Sequence, residues 1–206
     1  MIVYVETNFL LELAYQQESF ESCEEILRLA KGGLISLVLP AFCITEAYLT
    51  WHRKNTERQK FHAQLQTYLS ELSRSAPYRG LVDQYRDVMT ALIAGSEESR
   101  VRLVDAIASI EPDGSTIPLT FEVIYMVGFH EDAYSLSPQD ALVLASVKSH
   151  SELRGGPQCF VSKDRGFVKQ KIREELRSER SECKVIFNFD DALAHIKNAL
   201  RPEAES

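Results

Sequence analysis

Four short apolar runs rich in β-branched residues interrupt an otherwise mixed pattern and predict β-strands. They cover residues 2–5, 35–39, 159–162 and 184–187. Three of them are followed closely by apolar positions at helical spacing. Strands that alternate with helices are typical of βαβ units, so the pattern predicts an α/β fold with a mainly parallel sheet.

Residues that favour helix N-termini mark where several of these helices begin. Thr7 and Asn8 follow the first strand and are suited to cap a helix. Ser137 is suited to cap a later helix whose first residue is Pro138. Asp140 then falls at the third helical position, where a carboxylate interacts favourably with the positive end of the helix dipole. Residues 190–191 open a last helix with one apolar face.

The middle of the chain, approximately residues 51–115, shows no strand pattern. Apolar residues at helical spacing predict two helices there, separated by a break at Pro77, and the second helix pauses near Gly95. Pro112 and Gly114 end this region, and a short helix over residues 120–128 follows. We therefore expect one domain over residues 1–206 that contains a helical insertion and ends in a frayed tail at 201–206.

Composition limits the classes of protein that fit. The net charge of −7 and the pI near 5.3 argue against a protein whose whole surface grips nucleic acid, although a local basic patch remains compatible. The four cysteines lack metal-binding spacing and are expected to be buried and reduced. No signal peptide or membrane-length apolar run is present, so we expect a soluble, cytoplasmic protein without membrane association.

Four carboxylates, Glu6, Glu46, Asp140 and Asp164, each stand where a strand has just ended or a helix is beginning. In a parallel α/β sheet, the crevice beyond the carboxyl ends of the strands is the usual ligand site, so we expect the four acids to converge there. Pockets lined by carboxylate oxygens hold Mg²⁺ or Mn²⁺.

Taken singly, each acid also has a purely structural interpretation. Asp140 and Asp164 suit helix caps, Glu46 suits a solvated helix position, and Glu6 suits a polar strand end. The coincidence of four acids at four element junctions favours a shared metal site.

These residues resemble the motifs of PIN domains, a family of metal-dependent ribonucleases that includes the VapC-type toxins. The resemblance lies in Glu6-Thr7-Asn8, in Glu46, in the LSPQDAL stretch that contains Asp140, and in the SKDRGF stretch that contains Asp164. It covers two blocks, from residue 1 to about 50 and from 117 to about 200. Glu6 departs from the usual Asp by one methylene group.

The resemblance implies a three-layer α/β/α PIN-like fold with a helical insertion, and hydrolysis of RNA phosphodiesters by metal-activated water. The four acids would be the catalytic metal ligands. Thr7, Asn8 and Ser162 would support the carboxylates through hydrogen bonds. Lys163 and Arg165 would meet the scissile phosphate, although plain surface charges are the alternative.

A second candidate contact with RNA is the basic stretch over residues 51–62. It contains Arg53, Lys54, Arg58 and Lys60 against Glu57 alone, beside Trp51. Such a stretch suits the phosphate backbone, and a solvated helix face is the alternative. Beyond RNA, the partners left open are an antitoxin or another small protein, and a homodimer.

Three functions compete on this sequence. The first is a Mg²⁺- or Mn²⁺-dependent endoribonuclease, with a toxin of a toxin–antitoxin pair as one form. The second is a catalytically inactive PIN-fold module that binds RNA or protein. The third is a phosphotransfer receiver, but it lacks an acidic pair beside Glu6 and a strand-terminal Asp in the middle of the chain. The nuclease is favoured because all four positions are carboxylates.

Overall fold

A computed structural model describes residues 1–110, 116–178 and 181–201. Within these ranges it contains six strands and eight α-helices. The strands are β1 (Ile2–Val5), β2 (Ser36–Pro40), β3 (Thr116–Ile117), β4 (Gln158–Val161), β5 (Arg177–Ser178) and β6 (Ser181–Ile186). The helices are α1 (Thr7–Tyr15), α2 (Phe20–Lys31), α3 (Ala41–Leu72), α4 (Arg79–Ile110), α5 (Phe121–Tyr134), α6 (Pro138–Glu152), α7 (Gln170–Leu176) and α8 (Phe189–Ala199).

The strands form one sheet in the order β3-β2-β1-β4-β6-β5. The first five are mutually parallel, and β5 pairs antiparallel with β6 at the edge. The central strand β1 places Ile2 beside Ser36 of β2 and beside Gln158 of β4. This sheet confirms the predicted α/β fold with a mainly parallel sheet.

Helices cover both faces of the sheet, which gives the three-layer α/β/α arrangement. Helices α1, α2 and α4 contact one another and α8 joins them through α2, whereas α5 and α7 each contact α6, and α3 contacts both α1 and α6. The core between the layers is built on β1, β2 and β4, whose apolar side chains are almost fully buried except for Ile2 at the start of β1. All four cysteines are buried and unpaired, as predicted.

Two helices of 32 residues, α3 and α4, form a long hairpin joined by a 3₁₀ turn at Ala76–Tyr78. Helix α3 begins at Ala41, directly after β2, so position 51 lies inside a helix rather than at the start of an insertion. The expected pause at Gly95 is absent, because Ser96 bonds to α3: its hydroxyl lies 2.5 Å from Asn55 Oδ1, and its carbonyl accepts from the indole of Trp51. These contacts outweigh the low helix propensity of glycine.

Other elements differ in length from those predicted. Helix α5 continues to Tyr134 rather than ending at residue 128. Strands β3 and β5 have two residues each, too short to produce a pattern in the sequence. Pro112, Gly114 and residues 202–206 of the predicted tail lie outside the described residues. No helix in the described ranges has both the length and the apolarity that a membrane span requires.

Candidate active site

Three neighbouring parallel strands deliver polar residues to the same edge of the sheet. Glu6 follows the last residue of β1, and β2 runs into α3, which carries Glu46 near its start. Ser162 and Asp164 follow β4. Asp140 lies in the first turn of α6. The structure therefore brings the four predicted acids to the carboxyl edge of the sheet, the usual ligand side of such folds.

Glu6 is buried, with 5% of its surface exposed, and its side chain caps α1. Its carboxylate accepts from the backbone N–H and the side-chain amide of Asn8, both at 2.9 Å, and from the Ser162 hydroxyl at 3.1 Å. Burial raises the pKa of Glu6 to about 7 against these hydrogen bonds, and the negative charge of Glu46 adds to the rise. Glu6 is thus a buried acid that accepts three hydrogen bonds, and no Lys or Arg of the described residues forms an ion pair with it.

Thr7 orients Glu46. Its hydroxyl donates to a carboxylate oxygen of Glu46, which ties the start of α1 to the first turns of α3. Glu46 itself is half-buried. The predicted supporting positions of Thr7 and Asn8 therefore each contact one of the acids.

Ser162 joins Glu6 to Asp164. Its hydroxyl donates to Glu6 and accepts from the backbone N–H of Asp164 at 2.9 Å. The Asp164 carboxylate in turn accepts from the N–H of Gly166 at 2.6 Å and caps the 3₁₀ turn Arg165–Val168. A Cβ atom at position 166 would lie 3.0 Å from that carboxylate oxygen, so glycine leaves the space that this cap needs.

Asp140 lies opposite Asp164 and is held by its own helix cap. The Ser137 hydroxyl donates to the Asp140 carboxylate at 2.7 Å and accepts from the Asp140 N–H at 3.2 Å. Burial raises the pKa of Asp140 and the charge of Asp164 raises it further, while the Ser137 hydrogen bond and the charge of Lys169 oppose the rise. The Lys169 ammonium is bonded to the carbonyls of Tyr134 and Ser135.

The acids thus interact electrostatically as two pairs, Glu6 with Glu46 and Asp140 with Asp164, and Ser162 links the pairs. In the described part of the chain, none of the four is in an ion pair with Lys or Arg. Their oxygens are the ligand type that Mg²⁺ and Mn²⁺ prefer. The side chains are not gathered about one point, since no three His, Cys, Asp or Glu residues of the described ranges are placed to hold one ion. The donor set therefore fits a divalent cation in chemistry and charge, in an open arrangement.

The flanking cation Lys163 is already paired. Its ammonium lies 2.6 Å from the buried carboxylate of Glu12 on α1 and 3.6 Å from Glu18. The other Glu12 oxygen accepts from the Ser19 N–H. The structure thus ties Lys163 to α1, and this ion pair holds the loop that carries Ser162. The contact of Lys163 with a substrate phosphate stays a prediction. Nothing in the sequence pattern identified Glu12, although an acid within the apolar stretch of α1 is a signal that it has a buried partner.

Arg165 and Arg53 are exposed, Arg165 in the 3₁₀ turn after Asp164 and Arg53 on α3. The Lys54 ammonium lies 4.5 Å from the centre of the Tyr15 ring, a cation–π contact. The Trp51 indole donates to the Ser96 carbonyl at 3.2 Å, which ties this half-buried ring to α4. The contact of this basic stretch with the RNA backbone stays a prediction, and Arg53 is exposed to solvent.

Fold and site together define an α/β domain with four acids on the carboxyl edge of a parallel sheet. The family model of the PIN domain matches residues 3–167, and the chain belongs to this family. PIN domains are generally nucleases, and those nucleases typically use divalent metals. Among curated proteins and among solved structures, no match was found.

Proposed function

We propose that this PIN domain is an endoribonuclease that hydrolyses RNA phosphodiester bonds with a divalent cation, Mg²⁺ or Mn²⁺, at Glu6, Glu46, Asp140 and Asp164. The observation that carries the proposal is the set of four acids at one sheet edge without a basic partner among the described residues. Burial and like charge raise the pKa of Glu6 and of Asp140. Their ionised carboxylates are therefore disfavoured when no cation is bound.

A bound cation would neutralise the phosphate oxygens and lower the pKa of a bound water. The residues of this chain supply the rest. Asn8 and Ser162 hold the Glu6 carboxylate in place, and Thr7 holds Glu46. Ser137 and Gly166 do the same for Asp140 and Asp164. No side chain of this set is a covalent nucleophile in the proposal, so water is the attacking group.

Arg53 is the best-placed cation for the RNA backbone. It follows Glu46 by seven residues, which is close to two full helical turns, so both lie on the same face of α3 about 10 Å apart along its axis. That spacing suits a contact with a phosphate one or two nucleotides from the reacting one. Arg165, exposed beside Asp164, is a second candidate for phosphate contact.

The direct test is cleavage of single-stranded RNA by the purified chain. We expect activity with Mn²⁺ and weaker activity with Mg²⁺, since Mg²⁺ demands stricter geometry and Glu6 is longer than the usual Asp. EDTA, Asp164→Asn and Glu6→Gln should each abolish cleavage. Asp132→Asn, an exposed acid on α5, is the matched control and should leave cleavage unchanged. Cleavage that survives Asp164→Asn would rule the proposed site out.

The second candidate, an inactive binding module, is favoured by one observation. Glu6 already accepts three hydrogen bonds and caps α1, which is a complete structural role. This alternative predicts that the parent chain binds RNA without cleaving it and that Glu6→Asp restores cleavage with Mg²⁺.

A toxin role is a narrower form of the nuclease proposal. It predicts that expression of the parent chain arrests the growth of a bacterial host, and that Asp164→Asn at the same expression level does not. Growth arrest by both forms would separate the effect from catalysis.

A further inference from the structure

One face of the α3–α4 hairpin is apolar and uncovered along its outer half. Its members share two properties: they are large and apolar, and each is half-buried or exposed, with Tyr68 at 65%. They are Phe61, Leu65, Tyr68 and Leu72 on α3, and Tyr85, Val88 and Leu92 on α4. We call this set the hairpin face.

The hairpin face lies beside the seam where the two helices meet. That seam contains His62, Gln66 and Leu69 of α3 and Met89 and Ile93 of α4, which line one cavity between the helices. Each position is preceded in the sequence by a member of the hairpin face: residues 61, 65 and 68 on α3, and 88 and 92 on α4. A step of one residue rotates a position by about 100° about the helix axis, so the face is turned away from the seam by that angle on both helices.

Both halves of the hairpin face point to the same side. Because α3 and α4 run in opposite directions, an equal rotation toward the N-terminus on each helix leads to the same side of the pair. The opposite side carries small or polar residues, such as Ala63 and Thr67 on α3, with Ser70 and Ala94 where it borders the cavity. The outer hairpin is therefore amphipathic as a unit, like one half of a four-helix bundle.

We propose that a second copy of this chain covers the hairpin face, and that the two hairpins form an antiparallel four-helix bundle in a symmetric dimer. The order of residues on α3 fits a two-fold axis. Phe61, Leu65, Tyr68 and Leu72 are spaced symmetrically about the point between residues 66 and 67. When α3 of the second copy runs antiparallel, Phe61 of each copy therefore faces Leu72 of the other, and Leu65 of each copy faces Tyr68 of the other.

The size of the face suits a dimer. Five of the seven side chains are 42–65% exposed, and Leu65 and Leu92 are less so. Together they present on the order of 600 Å² of apolar surface, taking roughly 100 Å² for each aromatic ring. That is at the upper end for a patch on a monomer, about 300–600 Å². With flanking polar groups it approaches the roughly 800 Å² that each partner buries in a stable interface.

Charges at the rim agree with the same axis. Lys60 and Glu71 are exposed on α3, each one residue before an end member of the face, Phe61 and Leu72 respectively. The antiparallel arrangement brings Lys60 of one copy opposite residue 73 of the other, two residues or about 3 Å of helix rise from Glu71. Opposite charges meet at both ends, which also disfavours a parallel arrangement. The two domain bodies then lie at opposite ends of the bundle, with their acidic sites apart.

The mass of the full-length chain in solution tests the dimer. We expect sedimentation equilibrium to show a reversible dimer, and Tyr68→Ser combined with Leu72→Ser to weaken it by about tenfold or more. Both side chains are exposed in the monomer, so the melting temperature and circular dichroism of the variant should match those of the parent. A parent chain that stays monomeric at the highest concentration reached overturns the proposal and leaves the face to a different protein.

The matched control is a second exposed aromatic pair, Phe121 and Tyr125 on α5, each 76% exposed and stacked on the other. Phe121→Ser with Tyr125→Ser should leave the dimer intact. If this control abolishes the dimer while the α3 variant retains it, the copies meet through α5 and the proposal is wrong.

Reversal of the rim charges tests the register. Lys60→Glu and Glu71→Lys should each weaken the dimer several-fold, because each creates two like-charge contacts. The double variant restores both opposite-charge contacts and should recover parental affinity. A double variant as weak as either single variant would contradict the antiparallel axis.

Discussion

Glu6 combines two roles that conflict at the level of a single side chain. It caps α1 and it is a proposed cation ligand, yet it is almost fully buried. The usual pKa of 4.5 is raised to about 7, chiefly by burial, so the metal-free fold holds a proton on Glu6 more tightly than the unfolded chain does. Stabilisation from this group is therefore complete below pH 4.5 and is lost as the pH rises toward 7.

Glu6→Gln should remove this pH dependence in EDTA. We expect the difference in unfolding free energy between variant and parent to shift in favour of the variant between pH 4.5 and 7, by about 3 kcal/mol at most, and to stay constant above that range. Urea unfolding at a series of pH values measures it. If the unfolding free energies of the two proteins change with pH in the same way, burial does not raise the pKa of Glu6.

Gly166 gives a sharper test of how Asp164 is held. Gly166→Ala places a methyl group 3.0 Å from the Asp164 oxygen that caps the turn, so the carboxylate must move. We expect several-fold weaker Mn²⁺ affinity and reduced cleavage with little loss of stability. Gly155→Ala is the control, because a Cβ atom there meets nothing within 4 Å. Equal metal affinity in both variants would mean that Asp164 is not a ligand.

At the level of elements, α3 carries both Glu46 and the basic stretch over residues 51–62, so it links the four acids to a candidate RNA contact. Arg53→Glu with Lys54→Glu should weaken RNA binding and reduce its dependence on salt, because fewer counterions are released. The loss of the contact between Lys54 and Tyr15 should cost about 0.5–1 kcal/mol of stability. Lys171→Glu with Arg173→Glu on α7 is the control. An unchanged salt slope in a filter-binding titration would show that the stretch is only a solvated face.

The elements that the sequence predicted well are those with a strong local signal. The strand β1 and the cap of α6 by Ser137 follow from an apolar run and from a Ser-Pro pair, and both are present. The continuity of α4 through Gly95 did not follow, because it depends on contacts between Ser96 and residues some 40 positions earlier. Two-residue strands such as β3 depend only on a neighbouring strand and have no period of their own.

The candidate site shows the same division at the scale of the whole molecule. Strand ends place Glu6 and Asp164 on one edge, which topology alone predicts. The pairing of Lys163 with Glu12 joins residues 151 positions apart, and no local pattern encodes it. Convergence of all four acids on one point was also expected, whereas the structure holds them as two linked pairs.

Cation binding should stabilise the whole domain. Millimolar Mn²⁺ or Mg²⁺ is expected to raise the melting temperature, since the ion binds the folded state and relieves repulsion within each acid pair. Asp140→Asn and Asp164→Asn should each reduce that rise and leave the metal-free protein as stable as the parent or more so. Asp132→Asn should respond to metal as the parent does. A parent chain with no thermal shift in either metal would exclude a shared site.

The order of the strands also sets when a site of this kind can exist during synthesis. Strand β1 begins at Ile2, yet one of its two neighbours, β4, begins only at Gln158. A nascent chain synthesised as far as the α3–α4 hairpin therefore contains Glu6 and Glu46, while the position of β4 beside β1 is still unfilled. Asp164 follows β4 in the chain, so the four acids can come together only after the whole α3–α4 hairpin has been synthesised.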